Sequence, residues 1–322
     1  MAKRSPTRAG APTIGIDVGG TNITGGLVSA SNRILARHRI DTEADQGPQH
    51  VIDRIVECVT YLASHSKTPI AAVGLGIPGA VDPRRGLVLE AVNLRWKNLK
   101  LDAELKRRIQ LPIVLDNDVN VGTWGSYRLG TGKGAENLMG IFIGTGIGGG
   151  FVFNGQLFHG HFKTAGEIGH TVLAAHGPVG LRTLEQLASR TAVVNRLTQM
   201  VNANHPSSLP KLAGKKWPKI RSKVLAKAMK SNDELTIRVL HDAAHHVGVA
   251  IANVVTLLSI DRVVVGGGLT EALDSRWIRW IRESFLQHAF PDVCHRCKIV
   301  PSVLGDDAGL IGAALLARDQ CE

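Results

Sequence analysis

Two carboxylates and a glycine-rich segment are the residues of this chain best suited to chemistry. Asp116 and Asp118 follow a short apolar run, Pro112–Leu115, which is typical of a buried strand, and the segment Gly144–Gly150 lies further along the chain. An acidic side chain at the end of a strand can accept a hydroxyl proton, and glycines let backbone N–H groups approach a phosphate closely. A base beside a phosphate-binding loop is the minimal equipment for moving a phosphoryl group onto an alcohol.

The composition indicates a globular protein rather than a secreted or membrane-spanning one. The chain has 322 residues, enough for two domains, with 44% hydrophobic and 20% charged residues. Its four cysteines form no spaced disulfide framework, and Cys294–Cys297 has only half the spacing of a zinc knuckle. Residues 1–12 lack the apolar core of a signal peptide, and no apolar stretch is long enough to cross a bilayer. We expect a cytoplasmic protein with a disordered basic leader at residues 1–12.

Most of the excess positive charge falls in one segment. The formal net charge is +11, and the stretch His205–Lys230 carries eight lysines and arginines but no acidic residue. A solvated surface helix is the ordinary interpretation, and a binding surface for a polyanion is the alternative. Direct nucleic-acid binding is not expected, because such a segment lacks base-reading groups and would bind in a salt-sensitive way.

The order of the predicted elements favours an α/β fold made of two similar halves. The first half has the order β-β-β-α-β-α-β and opens with a strand, Thr13–Asp17, a glycine turn and a second strand, Ile23–Ser29. The second half also opens on two strands around a glycine turn, Leu138–Ile143 and Gly148–Asn154. This is not the strand–turn–helix context of a Walker loop or a dinucleotide fingerprint. We expect a duplicated fold around a central cleft.

Hydrophobic periodicity predicts the remaining elements. The predicted helices are Pro48–Ser64, Leu101–Gln110, Asp233–Ser259 and Asp307–Ala317. The further predicted strands are Arg33–Ile40, Ile70–Ile77 and Arg262–Val265.

Several spaced motifs in order resemble the ROK family (repressors, open reading frames, kinases). Asp17–Thr21 and Gly144–Gly150 look like the two phosphate segments of the actin/hexokinase superfamily. Asn117-Asp118, Gly166–His170 and Leu184-Glu185 complete the ROK pattern. The similarity covers about Thr13–Ala317, and its best-matched members are bacterial-type glucokinases.

The resemblance implies a two-domain, actin-like (ribonuclease H-like) α/β fold with a central interdomain cleft. By this comparison a small N-terminal domain comprises residues 13–119 plus 306–319, and a larger C-terminal domain comprises residues 120–305. Closure on sugar would use hinges near Asn120 and Gly305.

The resemblance also implies a role for each matched residue. Asp118 corresponds to the catalytic base, and Asp17 to the acid that helps to hold Mg²⁺ through water. The positions matching sugar binding are Asn93, Asn117, Glu167, His170, Glu185 and Gly79. Those matching nucleotide binding are Asp17, Gly19, Gly20, Thr21, Asn22, Gly144, Thr145, Gly146, Gly266, Gly267 and Gly268. Taken without the family, Asp118 is also a good cap for a helix beginning near Val119, and Glu167 and Glu185 are also compatible with ordinary surface acids.

One segment departs from the family pattern. Most members place a histidine and a cysteine cluster, which bind a structural zinc, between the Glu-x-x-His motif and the later glutamate. Here Thr171–Glu185 contains no cysteine, and His170 and His176 alone cannot form a four-ligand site, even with His159 and His161 nearby in sequence. We expect no structural zinc. Our hypothesis is that an apolar plug replaces it, formed by Val172, Leu173, Val179 and Leu181.

The function implied by the resemblance is an ATP- and Mg²⁺-dependent hexose kinase that forms a homodimer, with the 6-hydroxyl of glucose as the favoured acceptor. Other hexoses (an N-acylhexosamine, mannose or fructose), polyphosphate as the donor, and a non-catalytic sugar sensor stay open. The repressors of the family would need a helix-turn-helix domain before the first strand, and only twelve residues precede Thr13. No membrane or nucleic-acid partner is expected.

Overall fold

The computed structural model describes residues 10–321, so most of the expected leader lies outside the described residues. Pro12, the last residue of that expected leader, is buried, and its carbonyl accepts a hydrogen bond of 2.9 Å from the Ala71 N–H. The leader expected at residues 1–12 stays a prediction.

Short runs of strands and runs of helices follow one another along the chain, which gives an α/β fold. The elements before residue 130 are β1 (Thr13–Val18), β2 (Asn22–Val28), β3 (Ile34–Asp41), α1 (Pro48–Ser64), β4 (Val73–Ile77), β5 (Ala80–Asp82), β6 (Leu87–Ala91), β7 (Trp96–Leu99), α2 (Leu101–Lys106), β8 (Ile113–Asn117) and α3 (Asp118–Arg128). The later elements are β9 (Asn137–Ile143), β10 (Ile147–Phe153), β11 (Gln156–Leu157), α4 (Leu184–Ala188), α5 (Arg190–Asn202), α6 (Leu209–Ala213), α7 (Ser222–Lys230), α8 (Glu234–Leu258), β12 (Arg262–Gly266), α9 (Gly268–Ala272), α10 (Ser275–His288), β13 (Lys298–Pro301) and α11 (Ala308–Cys321).

The described chain forms two compact units. The first unit contains residues 10–133, 157–165 and 306–321, and the second contains residues 134–156 and 166–305. The chain therefore leaves the second unit after residue 156, contributes a short segment to the first, and returns at residue 166.

The first unit is organised by a sheet with the order β3-β2-β1-β4-β8. β1 pairs antiparallel with β2, whereas β4 and β8 run parallel to β1. Because parallel strands end at the same edge, Asp17, Ile77 and Asn117 come together there, with Ile77 directly paired to Asn117. This edge carries the predicted catalytic residues of the first unit.

The last helix holds the first unit together by very close packing. α11 is buried along most of its length, and a Cβ on Gly15 of β1 or on Gly74 of β4 would overlap with its backbone carbonyls. Gly125 of α3 and Gly312 of α11 also meet at backbone distance. α3 is thus part of the first unit, and the predicted domain boundary between residues 119 and 120 falls inside this helix.

The second unit repeats the pattern of the first. Its sheet has the order β11-β10-β9-β12-β13, in which β9 pairs antiparallel with β10 and parallel with β12. The long helix α8 begins after Asp233, whose carboxylate accepts the Thr236 N–H, and ends at Ser259 in the left-handed conformation. The predicted α/β architecture with two strand–turn–strand halves is confirmed.

The basic segment forms two short helices rather than one long helix. α6 and α7 are separated by residues 214–221, where Pro218 lacks the N–H that a continuous helix needs. All eight cationic side chains of the segment are exposed. The sequence pattern also missed the small antiparallel sheet β5–β7 and the helix α10.

Candidate active site

The carboxyl end of β8 is built around a fully buried carboxylate. Asp116 Oδ1 accepts hydrogen bonds from the Asn117 N–H (2.7 Å) and from Asn120 Nδ2 (2.9 Å), and Asp116 Oδ2 lies 2.7 Å from His159 Nε2. A buried carboxylate is tolerated only when its oxygens are paired in this way. His159 was not predicted as a site residue, and it lies on the 157–165 segment that the chain inserts into the first unit.

Asn117 is the N-cap of α3. Its side-chain oxygen accepts the N–H groups of Val119 (2.9 Å) and Asn120 (3.0 Å). Its side-chain nitrogen donates to the Gly79 carbonyl (2.9 Å) and to Asp118 Oδ1 (3.0 Å). An amide has two donor hydrogens and two acceptor lone pairs, so this geometry uses all of them. Asn117, predicted to bind sugar, here orients its neighbours.

Asp118 is half-buried in the first turn of α3. Its Oδ1 accepts both the Asn117 amide and, at 2.9 Å, the Val119 N–H. The alternative interpretation of Asp118 as the helix cap is not needed, because Asn117 supplies the bonds to the second and third N–H groups of the helix. One oxygen of Asp118 is thus oriented by two donors at the end of the sheet.

Asp17 lies at the same edge, at the end of β1. Burial raises the pKa of Asp17 to about 7, and the nearby negative charge of Asp118 adds to that rise. No hydrogen-bond donor contacts the Asp17 carboxylate within the part of the chain that the structure describes. Gly309 of α11 lies against it: a Cβ at Gly309 would come within 2.9 Å of Asp17 Oδ2.

This environment fits the metal role predicted for Asp17. Mg²⁺ is commonly held by one or two carboxylates plus water and substrate phosphates rather than by an all-protein cage. A carboxylate that is costly to ionise and lacks a donor gains most from such a cation. Within residues 10–321 no cluster of three or more His, Cys, Asp or Glu side chains could hold a metal ion by itself.

The turn between β1 and β2 is held by Thr42. The Gly19 N–H donates to the Asn22 carbonyl (2.9 Å), and Thr42 Oγ1 donates to the Gly19 carbonyl (2.6 Å). A Cβ at Gly20 would lie 3.1 Å from the Cβ of Asn93, so the turn and the exposed Asn93 are neighbours. Thr21 follows in this turn, and the Asn22 side chain accepts a hydrogen bond of 3.2 Å from Arg39 Nε.

Gly79 completes the site residues of the first unit. It has a φ of 92°, and a Cβ there would overlap with the Glu90 carbonyl oxygen. Only glycine fits both requirements, and its own carbonyl receives the Asn117 amide.

In the second unit the predicted phosphate loop joins β9 to β10. The Gly144 N–H donates to the Gly146 carbonyl (2.9 Å), which closes the loop at Thr145. Glu185 Oε2 accepts the Ile147 N–H (2.8 Å), and a Cβ at Gly146 would lie 2.3 Å from the same oxygen. Arg190, which was not predicted as a site residue, donates from Nη2 to Thr145 Oγ1 (2.6 Å).

The glycine turn after β12 lies beside this loop. Gly267 has a φ of 86°, and a Cβ there would come within 2.5 Å of the Ile143 backbone nitrogen. Gly266 pairs with Phe142 across the sheet, and Gly268 begins α9. The structure therefore brings Gly266–Gly268 next to Gly144.

The turn at Gly166–His170 presents two exposed side chains. Glu167 and His170 are exposed, and their closest polar atoms, Oε2 and Nε2, are 3.9 Å apart. The backbone beneath them is fixed: the Gly149 N–H donates to the Gly166 carbonyl at 2.8 Å. Gly169 packs close enough to Ile147 and Glu185 that a Cβ at position 169 would overlap with the Ile147 carbonyl.

The hypothesis of an apolar plug after His170 is wrong. Val172, Val179 and Leu181 are 59%, 89% and 49% exposed, and only Leu173 packs against the core of the second unit. The segment is held instead by hydrogen bonds: the N–H groups of Leu173 and Ala174 donate to the Arg182 carbonyl, and Arg182 Nε donates to the Gly177 carbonyl (2.7 Å). Polar backbone pairing, not apolar burial, closes this loop.

The two units thus offer complementary chemistry. The first presents an oriented carboxylate, Asp118, and a carboxylate suited to a cation, Asp17. The second presents a glycine loop with an adjacent guanidinium and a turn carrying Glu167 and His170.

No helix within the described range is both long and apolar enough to span a membrane.

Comparisons with known proteins agree with this chemistry. The model of the ROK family matches residues 13–320. A glucokinase of Halalkalibacterium halodurans is 32% identical over 315 residues, which cover 95% of this chain and 95% of the relative. A glucokinase of Thermotoga maritima is also 32% identical, over 312 residues that cover 95% of this chain and 97% of the relative.

A solved structure extends the agreement to the fold. The crystal structure of a ROK family glucokinase from Streptomyces griseus, in complex with glucose and AMPPNP, superposes with a TM-score of 0.84 at 31% sequence identity. The match covers 96% of this chain and all of that chain. Sequence, fold and site chemistry therefore converge: the chain belongs to the ROK family and is a sugar kinase with the actin-like α/β fold.

Proposed function

We propose that this protein is an ATP-dependent glucokinase, which transfers the γ-phosphoryl group of ATP to the 6-hydroxyl of glucose with Asp118 as the general base. The observation that carries the proposal is the geometry at the start of α3. There Asp118 is half-buried, and two donors on one of its oxygens fix its orientation. The glucokinase relatives and the glucose-bound neighbour support glucose as the acceptor.

The proposed role of Asp118 follows from the chemistry of the acceptor. A sugar hydroxyl is a poor nucleophile, and a carboxylate within hydrogen-bond reach accepts its proton as the oxygen attacks phosphorus. The hydrogen bonds from Asn117 and Val119 hold Asp118 in place before the sugar arrives, which lowers the cost of positioning. Asn117 in turn links the base to Gly79 and to the helix terminus.

The donor phosphates need positive charge and backbone N–H groups. We propose that Gly19–Thr21 with Asn22, Gly144–Gly146 and the turn Gly266–Gly268 contact the nucleotide. Asp17 would hold Mg²⁺ through water. When bound, the ion supplies charge compensation for the phosphate oxygens.

The acceptor site is proposed to include Asn93, Glu167, His170 and Glu185 beside Asn117 and Gly79. Planar acids and amides suit neighbouring hydroxyl groups, and a site that hydrogen-bonds an OH group rejects sugars that lack it. Glu185 already gives one oxygen to the Ile147 N–H, so its other oxygen is the one proposed to meet the sugar.

A coupled assay of ADP formation across a sugar panel tests the proposal. Glucose is expected to give a higher kcat/KM than mannose, fructose or N-acetylhexosamines with ATP and Mg²⁺. Product analysis should place the phosphate on the 6-hydroxyl. A clear preference for an N-acylated hexosamine would move the acceptor assignment to that sugar.

The donor has one alternative that a specific observation favours. The basic segment exposes all eight of its cations, and none of them forms an ion pair within residues 10–321. Such a surface suits a polyphosphate chain. We expect ATP to be the better donor, and equal or faster turnover with polyphosphate would reverse that assignment.

We further propose a homodimer that uses the end of α8. Leu257 and Phe290 are 80% and 71% exposed, and the Phe290 N–H donates to Thr256 Oγ1 (3.1 Å), which joins the two segments. Exposed Leu258, Leu286 and Val293 belong to the same segments. An apolar cluster of this kind is typical of an interaction surface. Sedimentation of the wild type and of Phe290→Asp tests it, and a wild-type monomer would refute it.

A further inference from the structure

The loop Gly144–Gly146 is fastened to the first turn of α5 by three hydrogen bonds. The Arg190 N–H donates to the Gly144 carbonyl (2.9 Å), Thr191 Oγ1 donates to the Thr145 carbonyl (2.7 Å), and Arg190 Nη2 donates to Thr145 Oγ1 (2.6 Å). Two consecutive residues of the helix therefore hold two consecutive residues of the loop. Arg190 takes part with both its backbone and its side chain.

Arg190 carries a charge that forms no ion pair with a carboxylate of residues 10–321. Within the described part of the chain, no acidic group lies at ion-pair distance from its guanidinium. Two other arginines of the same unit, Arg196 and Arg276, pair with Asp242 and Asp274 at 2.9 Å. Arg190 is only partly exposed, and its side chain donates a hydrogen bond to a neutral hydroxyl.

The surroundings of Arg190 suit an anion. A guanidinium has five N–H donors, of which the contact with Thr145 occupies only one group. The positive end of α5, a helix of 13 residues, adds to the local field. Glu185 is the acidic residue nearest to α5 in the sequence. One of its carboxylate oxygens already accepts the Ile147 N–H.

The contact also orients the Thr145 hydroxyl. Because Thr145 Oγ1 accepts the Arg190 donor, its own O–H is directed elsewhere and can donate to a ligand oxygen. Thr145 is exposed, whereas Ile143 and Ile147 on either side of the loop are buried. Guanidinium and hydroxyl therefore form one donor group at the surface of the glycine loop.

We propose that Arg190 binds the phosphate chain of the nucleotide, with the Thr145 hydroxyl as the second donor. The inference rests on the proposed function for the identity of the nucleotide. The planar fork of the guanidinium matches two phosphate oxygens, which a lysine or a neutral side chain cannot reproduce. Arg190 is then both a brace of the loop and a direct ligand of the substrate.

The experiment is calorimetric titration of ATP, ADP and adenosine into the wild type and Arg190→Ala. Removal of a charged hydrogen bond should weaken ATP and ADP binding roughly 10- to 100-fold. Adenosine carries no phosphate, so its affinity should stay within about twofold of the wild-type value. The inference would be overturned if adenosine lost as much affinity as ATP, or if ATP lost none.

Two further variants separate ligand binding from bracing. Arg190→Gln keeps an N–H donor for Thr145 but removes the charge, so it should bind ATP as weakly as Arg190→Ala. Recovery of wild-type ATP affinity in this variant would show that Arg190 only braces the loop. Arg196→Ala removes a paired guanidinium from the same helix and is the matched control, for which no change in ATP affinity is expected.

The same titrations keep the two proposals apart. Binding of ATP is measured without sugar turnover, so the result for Arg190 does not depend on which sugar is phosphorylated. A wild-type protein that binds ATP but phosphorylates no hexose would refute the proposed function and leave the Arg190 result standing. Added guanidinium ion should restore part of the ATP affinity of Arg190→Ala, and it should have no effect on the wild type.

Discussion

The carboxyl end of β8 and the turn Glu167–His170 are both predicted to face the sugar, and they are constructed in opposite ways. At β8 the side chains of Asp116 and Asn117 use every oxygen or nitrogen in a hydrogen bond, and Asp118 is fixed through one oxygen. In the turn the backbone is fixed, but Glu167 and His170 extend into solvent with their polar atoms 3.9 Å apart. The first region is preorganised, and the second must be ordered by its ligand.

This difference indicates which region acts on the chemical step and which acts on sugar binding. A preorganised group costs nothing to position during the reaction, so it acts on the chemical step. An exposed and loosely paired group loses conformational entropy when the ligand binds, so it acts on affinity and selectivity. Substitutions at β8 should therefore lower kcat, and substitutions in the turn should raise KM for the sugar.

The largest effect is expected for Asp118→Asn. The amide keeps an oxygen that can accept the Val119 N–H, but it cannot accept the hydroxyl proton. Loss of a general base should lower kcat by roughly 10²- to 10⁴-fold. Glucose affinity, measured by tryptophan fluorescence or calorimetry, should change little. Substantial remaining turnover would mean that another group accepts the proton.

Asn117→Ala should act on both folding and chemistry. It removes the cap of α3 and the amide that orients Asp118, so the free energy of unfolding should fall by about 1–2 kcal/mol. We expect kcat to fall by roughly tenfold, the factor that corresponds to about 1.4 kcal/mol. Urea unfolding and steady-state kinetics measure the two effects.

Asn117→Asp is the matched control, because its carboxylate can still accept the Val119 and Asn120 N–H groups. It loses the donors to Gly79 and Asp118. The cap is kept, but a carboxylate oxygen now takes the place of the amide nitrogen, which lies 3.0 Å from Asp118 Oδ1 and 2.9 Å from the Gly79 carbonyl, so stability should be restored only in part while kcat stays low. If both recover together, Asn117 acts only as a cap.

Substitutions in the turn Gly166–His170 should have the opposite effect, on KM rather than on kcat. Glu167→Gln and His170→Ala should raise KM for glucose by about tenfold with a smaller effect on kcat, since each loses a ligand contact worth about 1.4 kcal/mol. The free energy of unfolding should change by less than about 0.5 kcal/mol, because both side chains are exposed. A large loss of stability without a change in KM would place these residues in the structure rather than in the site.

The pH dependence of Asp17 tests a second feature of the preorganised edge. Its pKa is raised to about 7 in the folded state and is near 3.8 in the unfolded chain, so the folded protein binds the proton more tightly. The stability of the wild type should therefore fall as the pH rises from about 4 to about 7, by up to about 1.4 kcal/mol for each unit of pKa shift. Above about pH 7 Asp17 is ionised in both states, so it should lower the stability no further.

Asp17→Asn should remove this dependence. The variant should be more stable than the wild type at pH 8, and the two should become equal near pH 4. Nucleotide affinity in the presence of Mg²⁺ should rise with pH up to about 7 in the wild type only, because ionised Asp17 is the form that attracts the cation. Thermal unfolding across pH and nucleotide titration measure both.

Much of the fold was predictable because its signals are local. The paired openings β1–β2 and β9–β10, and the helix α8 with its cap Asp233, follow from alternation, glycine turns and capping residues. The short strands of the sheet β5–β7 carry too few residues for a periodic signal.

The site was predictable only where its chemistry is contiguous in the chain. Asp118 follows its strand directly, but Asn117 and Asp118 are equally good cap types, so only the structure shows which one caps α3. Arg190 meets Thr145 across 45 residues and His159 meets Asp116 across 43, and no local pattern encodes such contacts. The apolar residues of the loop after His170 have no period, so their types alone did not indicate burial.

That loop provides the smallest expected effect. Val179→Ser should change the free energy of unfolding by less than about 0.5 kcal/mol, since Val179 is 89% exposed, whereas Leu173→Ala should cost clearly more because Leu173 packs on the core. Treatment with a chelator, followed by its removal and the return of Mg²⁺, should leave the thermal midpoint and KM for glucose unchanged, because hydrogen bonds around Arg182 hold the segment. One tightly bound zinc per chain in metal analysis would contradict this account. It would also add a metal to the features that orient His170, and the turn would then be less adaptable than its exposed side chains indicate.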